Sequence, residues 1–256
     1  MSEVTSTLNT DTTEEERSQK VVHAYDVAIQ KWDGDQARRR QWYYMFSKML
    51  TDHRLLMELD LEGKDTLNVG FAEPIDELQF ASFCNTWTAI DLHEETVHKV
   101  KAWIKTKVSD EVNEKFNFVH GDATQMPFED NSFDVVMCFS TIDHIPTAEG
   151  REKAIAEMAR VCKPGGHVII TVPNSWNLPY VVWSRWMQYK NKAFFGYEYQ
   201  FSPLQIKGYM KKYGIQPQKF ASNFMLTPSV WLKPLSILDW LLRYFGYRMG
   251  YLGQKL

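Results

Sequence analysis

The sequence predicts an α/β fold, a doubly wound and mostly parallel sheet with helices on both faces. Three observations predict it. Short apolar runs alternate with helix-period segments from residue 66 to residue 172; the run Phe133 to Phe139 (FDVVMCF) is almost continuously apolar, as a strand buried on both faces requires; and a helical pattern stops at Lys163-Pro164-Gly165-Gly166, just before the next run. Parallel strands need crossover connections, which wind right-handedly and place helices on both faces. Ligands in such sheets bind beyond the carboxyl ends of the strands, so the residues ending each strand are the ones to inspect.

Taken in order, Met1 to Lys20 is a polar run of Ser, Thr, Glu and Asp, read as a disordered tail. From Gln36 to Leu59 apolar residues recur at helical spacing, with Arg38, Arg39 and Arg40 on the approach, which predicts an N-terminal helical layer. A strand over Thr66 to Gly70, a helix over Ile75 to Phe83 and a strand over Trp87 to Asp91 follow. The segment Glu94 to Lys107 carries Val97, Val100, Trp103 and Ile104 on one helical face. Strands are then expected at Phe116 to His120 and Phe133 to Phe139, a helix at Ala148 to Val161, and a strand at Gly166 to Val172. After Asn174 the alternation gives way to an aromatic stretch. A helix near Pro203 to Tyr213, a strand at Ile215 to Ser222, an apolar helix within Val230 to Phe245 and a closing strand at Tyr247 to Gln254 complete the reading.

Composition narrows the function. The 256 residues are 44% hydrophobic and 24% charged, with a net charge of -3, too balanced for the electrostatic footprint of a nucleic-acid binder. A small-molecule partner is expected instead. Cys84, Cys138 and Cys162 show no CxxC spacing, the seven histidines show no ligand pair, and no metal site is predicted. The N-terminal run has no basic and apolar signal regions, and no window reaches the roughly 18 apolar residues of a membrane span. A cytoplasmic location follows as the expectation. The apolar stretch at Leu232 to Phe245 and the three arginines admit peripheral membrane or lipid contact, and the chain is expected to act as a monomer or homodimer.

At the strand ends, Asn68-Val69-Gly70-Phe71-Ala72 stands where a nucleotide-binding sheet places its tight turn. Asp91, followed by Leu92, ends the second strand about twenty residues on, where an acid can accept hydrogen bonds from both hydroxyls of a ribose. Gly121-Asp122-Ala123 follows the third strand, offering a carboxylate to an exocyclic amine, with Met126 and Phe128 as apolar walls. Phe139 and Ser140 end the fourth.

This ordered series resembles the class I S-adenosylmethionine-dependent methyltransferases of the broad small-molecule type called methyltransferase 11. The resemblance runs from about Leu67 to Asn174 and is most specific at HGDATQMPFEDNSFDVVMCFSTIDHIP and MARVCKPGGHVIITVPN. It implies a seven-stranded Rossmann-like sheet with an antiparallel last strand. Residues 63–174 would form the cofactor-binding core, 21–62 a helical layer and 175–256 an acceptor-binding cap with the final strands, all within one domain. It further implies that Asp91 binds the ribose, Asp122 the adenine amine, and Phe139 and Ser140 the methionine part of the cofactor. The first motif departs from the family pattern of an acid followed by Gly-x-Gly-x-Gly. Here Asn68 replaces the acid, and Ala72 and Pro74 replace two glycines. A neutral amide gives up the charge-assisted bond to an ammonium, which is roughly twice as strong as a neutral one.

Methyl transfer from a sulfonium is an in-line displacement that needs positioning above all, with reacting atoms about 3 to 3.5 Å apart. His144, just after the fourth strand, is the best-placed base for an acceptor proton, and Asp143 the second. The resemblance gives that histidine a pocket-shaping role as well. Two other readings stay open: a cofactor-binding or scaffold protein without turnover, and a nicotinamide-dependent oxidoreductase, which lacks its GxGxxG. The aromatic excess, with nine Trp, twelve Tyr and fifteen Phe, concentrates after the fifth strand and favours an apolar or ring-bearing acceptor over a nucleic acid; a small, hydrophobic or lipid-like acceptor is the expectation.

Overall fold

A computed structural model of the chain describes residues 15–17, 19–21, 23, 48–72, 74–190, 192, 196–223 and 243–256. Seven strands form one sheet: β1 (Asp65–Val69), β2 (Thr86–Asp91), β3 (Phe116–His120), β4 (Phe133–Phe139), β5 (Cys162–Pro173), β6 (Ile215–Ser222) and β7 (Arg248–Lys255). Their order is β3-β2-β1-β4-β5-β7-β6. The first five run parallel, and β7 lies antiparallel to both β5 and β6. The chain reverses direction of growth between β1 and β4, so the crevice for a ligand opens above those two strands.

Helices alternate with the strands. A π-helical turn (Met49–His53) leads into α1 (Arg54–Leu56), and α2 (Ile75–Phe80) follows β1. The connection from β2 to β3 contains α3 (Glu94–Ile104) and α4 (Asp110–Asn113), and α5 (Ala148–Val161) joins β4 to β5. Beyond β5 come α6 (Leu178–Tyr189) and α7 (Pro203–Lys212). The sequence marks these starts: Ser202 accepts from the Gln205 amide while the Gln205 side chain accepts from Ser202, a capping box, and Thr147 accepts from the Gly150 amide. One apolar layer packs Leu67, Val136, Ile155, Met158 and Ile170 beneath α5 and α7; the other packs Leu56, Trp87, Val100, Ile104 and Met137 on the opposite face.

Two sequence expectations are corrected. The fifth strand begins at Cys162, four residues early, because Phe133 pairs with Cys162 and Val135 with His167, so Pro164 and Gly165 bulge out of the ladder within the strand. Gly165, at φ 76, supplies the turn. The aromatic stretch after Asn174 contains the helix α6, which begins with Asn177 accepting from the Tyr180 amide and Pro179 in its first turn. The expected N-terminal helix is helical at its described end, over residues 48–56, while Arg38 to Arg40 lie outside the described residues. The predicted apolar helix within Val230 to Phe245 also lies outside them, apart from a 3-10 turn at Arg243–Phe245.

Candidate functional site

The strand ends converge as the topology requires. The Gly70 amide donates to the Ile90 carbonyl at 2.7 Å, Gly121 to Asp91 at 2.9 Å and Ser140 to Thr171 at 2.9 Å, so the loops after β1, β2, β3 and β4 are stitched side by side. Asp91 is buried, and its carboxylate accepts from the Ala72 amide at 3.2 Å and the His93 amide at 2.9 Å. One oxygen is used in each bond, which leaves acceptor capacity on both. Burial raises the Asp91 carboxyl above its ordinary range, against the pull of those two amides.

Three residues around this crevice hold left-handed backbone: Gly70 at φ 73, Ala72 at φ 38 and Ser140 at φ 54. For Ala and Ser that conformation costs on the order of 1 kcal/mol or more and is characteristic of ligand-clamping loops. Gly70 is required for a second reason. A Cβ there would lie 2.1 Å from the Thr141 methyl, and Thr141 Oγ1 donates to the Gly70 carbonyl at 3.0 Å, locking the first loop to the end of β4. Ser140 Oγ is buried without a hydrogen-bond partner, an orphaned hydroxyl beside that lock.

The other predicted positions divide. Leu92 is 60% exposed beside Asp91, an apolar surface held at the crevice rim. Asp122 is exposed and accepts from the Thr124 amide at 2.7 Å, and Ala123 packs on the core below it. Phe71 turns inward, edge-on to Phe118 at 5.4 Å between centroids, so its part in the loop is its backbone. Phe139 is buried with the Lys48 ammonium 5.3 Å from its ring centroid. The expected walls Met126 and Phe128 are core instead: Met126 is buried and Phe128 packs edge-on against Phe133. Tyr25 and Tyr44 of the N-terminal layer lie outside the described residues.

Asn68, in the family's acid position, is buried on β1. Its Nδ2 donates to Glu77 Oε1 of α2 at 2.7 Å, and Trp87 Nε1 donates to the same oxygen at 3.3 Å. Asn68 Oδ1 and Glu77 Oε2 have no partner. Burial, and then the neighbouring Asp76 charge, raise the Glu77 carboxyl to about 7. A protonated Glu77 carries a hydroxyl that can donate, which the ionised form lacks. The acid absent from β1 is thus present one element later, on the inner face of α2.

Around this pair lies a buried charge network that sequence reasoning missed. Lys48 binds Asp76, and His53 Nε2 donates to Asp76 Oδ1 at 2.8 Å. Burial works against ionisation of Asp76, but the Lys48 charge and the His53 hydrogen bond outweigh it and hold the carboxyl down to about 2. Arg248 of β7 reaches Asp52 twice, at 2.6 and 3.1 Å, and Thr171 at 3.2 Å. The one sequence signal was the adjacent acids Asp76-Glu77 on a helix with a buried face.

His144 and Asp143 sit on a 3-10 turn (Ile142–His144) directly after β4. His144 Nδ1–H donates to the Tyr197 carbonyl at 2.7 Å, and its Nε2 lies 3.5 Å from Asp143 Oδ2. Tyr197 is itself covered by the N-terminal segment, with the Arg17 guanidinium 5.5 Å from its ring centroid. Asp143 is fully buried, and neither carboxylate oxygen has a hydrogen-bond partner. Burial raises its carboxyl to about 6; His144 pulls it down and Glu198 pushes it up. An open groove of about 870 Å³ lined by Met57, Phe83 and Lys115 lies at the amino ends of the strands, away from all these groups.

Residues 67–170 match the family described as methyltransferase domain. A sterol 24-C-methyltransferase of Pneumocystis carinii is 29% identical over 125 residues, 47% of this chain and 32% of that protein. The chain spans between 14% and 34% of the length of the curated relatives it matches. Among solved structures, the N-methyltransferase NodS of Bradyrhizobium japonicum in complex with S-adenosylhomocysteine superposes with a TM-score of 0.62 at 12% identity, covering 92% of this chain and 98% of NodS. A SAM-dependent methyltransferase of Methanosarcina mazei gives 0.61 at 17% identity, covering 79% and 97%. Residues 67–170, from β1 into β5, therefore match the methyltransferase domain family, and the sheet that carries them has the Rossmann-like fold of the class I methyltransferases.

Proposed function

We propose that this protein transfers a methyl group from S-adenosylmethionine to a small, apolar or lipid-like acceptor by in-line displacement. The observation that carries the reading is Asp91, a buried carboxylate at the carboxyl end of β2 that orders the first loop through Ala72 and keeps acceptor capacity for a ribose. Gly70, Ala72 and Ser140 present backbone in left-handed geometry around it, and the orphaned Ser140 hydroxyl fits a polar ligand at the end of β4. In this reading Asn68, Gly70, Phe71 and Ala72 form one wall of the cofactor site. Asp91, Leu92, Gly121, Asp122 and Ala123 hold the nucleoside, and Phe139 and Ser140 lie along the amino-acid part.

The bound cofactor supplies an electrophilic methyl on a sulfonium and a neutral thioether as leaving group. The chain supplies position and a proton acceptor. Because Nδ1 of His144 is committed to the Tyr197 carbonyl, the lone pair of a neutral ring resides on Nε2, the atom facing Asp143. His144 is the proposed base for a hydroxyl or amine acceptor, with Asp143 the group that takes the proton onward. Residues 63–174 are assigned to the cofactor and 175–256 to the acceptor side. The sterol methyltransferase among the relatives supports a lipid-like acceptor.

Calorimetric titration with S-adenosylmethionine and S-adenosylhomocysteine tests the reading, with binding of both expected. A folded protein that binds neither would overturn it. A second reading, cofactor binding without turnover, draws on the Asn68 amide being engaged with Glu77. Binding without consumption of a methyl-labelled cofactor, across a lipid and metabolite extract, would favour it.

A further inference from the structure

Helix α6 is built inside out. A surface helix ordinarily turns its apolar stripe to the core and its polar face to water. Here Tyr180, Ser184 and Gln188, spaced four apart on one face, point inward and bind the 198–200 segment. The Tyr180 hydroxyl donates to both Glu198 oxygens at 3.0 and 2.9 Å, Ser184 donates to Glu198 at 2.9 Å, and Gln188 donates to the Glu198 carbonyl at 3.1 Å. The outward face carries Leu178 (69% exposed), Val182 (68%), Trp183 (53%), Trp186 (51%) and Tyr189 (67%), continued by Phe245 (43%). On this helix Trp183, Trp186 and Tyr189 therefore go neither to the core nor to an acceptor pocket: they face outward.

Charge identifies the occupant. No Asp or Glu occurs from Met158 to Tyr197, whereas Arg185, Lys190 and Lys192 on and just after the helix are exposed. Packing this face on a second copy about a two-fold axis would bring both sets of cations together with no acid on the helix itself to pair them, which is unfavourable. Trp and Tyr among aliphatic residues, rimmed by Arg and Lys, match the boundary between lipid headgroups and acyl chains. We propose that the outer face of α6 docks this protein on an anionic lipid bilayer, with Leu178, Val182, Trp183, Trp186 and Tyr189 at the acyl boundary and Arg185 and Lys190 against headgroup phosphates. Among the described residues no helix is long and apolar enough to cross a membrane, so the contact is peripheral. The proposal stands apart from the identity of the acceptor.

The test uses the full chain in co-sedimentation with phosphatidylcholine vesicles and with vesicles containing about 30% phosphatidylglycerol. Binding to the anionic vesicles is expected, falling as salt is raised. Because the substituted side chains are exposed, Trp183→Ser with Trp186→Ser should abolish binding while circular dichroism stays unchanged. Arg185→Gln with Lys190→Gln should lower partitioning about 25-fold, at about fivefold per charge. The proposal is overturned by failure to bind either vesicle or by binding that survives the double Trp substitution. It is also overturned by a lipid-free dimer that dissociates on that substitution, which would assign the face to a second copy.

Discussion

Beneath the first loop, Asp76 is ringed by Lys48 and His53, whereas just beyond β4 the Asp143 carboxylate is equally buried and has no hydrogen-bond partner at all. Burial pushes both carboxyls up, but at Asp76 the Lys48 charge and the His53 hydrogen bond outweigh it, so one carboxyl is held down to about 2 while the other is raised to about 6. The contrast separates support from readiness. A fully paired buried charge fixes geometry and resists titration; one without hydrogen bonds, facing only the His144 ring at 3.5 Å, changes protonation near neutral pH and is available to a ligand or a proton.

The sharpest way to break the contrast is to make the paired side unpaired. Asp76→Ala leaves Lys48 with its longer contact to Asp52 at 3.9 Å, and Asp52→Ala removes both carboxylate contacts of Arg248. Each is expected to lower stability by about 3–5 kcal/mol in chemical denaturation, because a buried cation loses its nearest carboxylate. Asp143→Asn removes no hydrogen bond and should cost far less; equal losses on the two sides would erase the distinction.

Smaller effects follow from protonation. Glu77 has a folded value of about 7 against an ordinary 4.5, so the folded state holds a proton that the unfolded state releases. Stability from this group is therefore complete below about pH 4.5 and declines as pH rises through 7, by on the order of 3 kcal/mol. Asp143 adds a slope of the same sign, from its ordinary 3.8 to about 6. Asp76 acts oppositely: its contribution is present above 3.8 and is lost as pH falls toward 2. Glu77→Gln keeps a neutral side chain of the same shape and should flatten the decline between pH 5 and 7. An unchanged slope would remove Glu77 as its source.

At the ligand end, Asp91→Ala is expected to weaken cofactor binding by about 1–3 kcal/mol in calorimetry, the usual cost of deleting one buried polar partner. Unchanged affinity would move the nucleoside site elsewhere. The smallest change is Ala72→Gly, which relieves left-handed backbone at φ 38 and should raise the melting temperature by the equivalent of about 1 kcal/mol. If cofactor affinity falls as stability rises, the strain at Ala72 is part of the site.

Much of the parallel half of the sheet could be read from residues alone, since β3 and β4 occupy the runs Phe116–His120 and Phe133–Phe139 and α5 spans Ala148–Val161. Those segments have one dominant period and clear ends. Helix α6 escaped because its apolar residues face outward and its inward face is hydrogen-bonded, a pattern that no core-facing stripe reveals. The strand-end residues were legible because topology fixes where they must be. Glu77, Thr141 and the Asp52 and Arg248 pair were not: a contact between side chains 196 positions apart leaves no trace in local spacing.

The place of β7 has a consequence for how the molecule is made. It lies between β5 and β6, pairing Ile169 with Leu252 and Lys219 with the same residue on its other side, while Arg248 clasps Asp52 near the first described helix. During synthesis, β5 and its apolar run Val168–Val172 have emerged long before residues 248–255 leave the ribosome. Until then β5 is an open sheet edge, the kind of surface that recruits other chains. Expression yield should therefore respond to chaperone supply and growth temperature more than the stability of the finished fold would suggest, and removal of residues 248–255 should send the protein into aggregates rather than a shortened, soluble core.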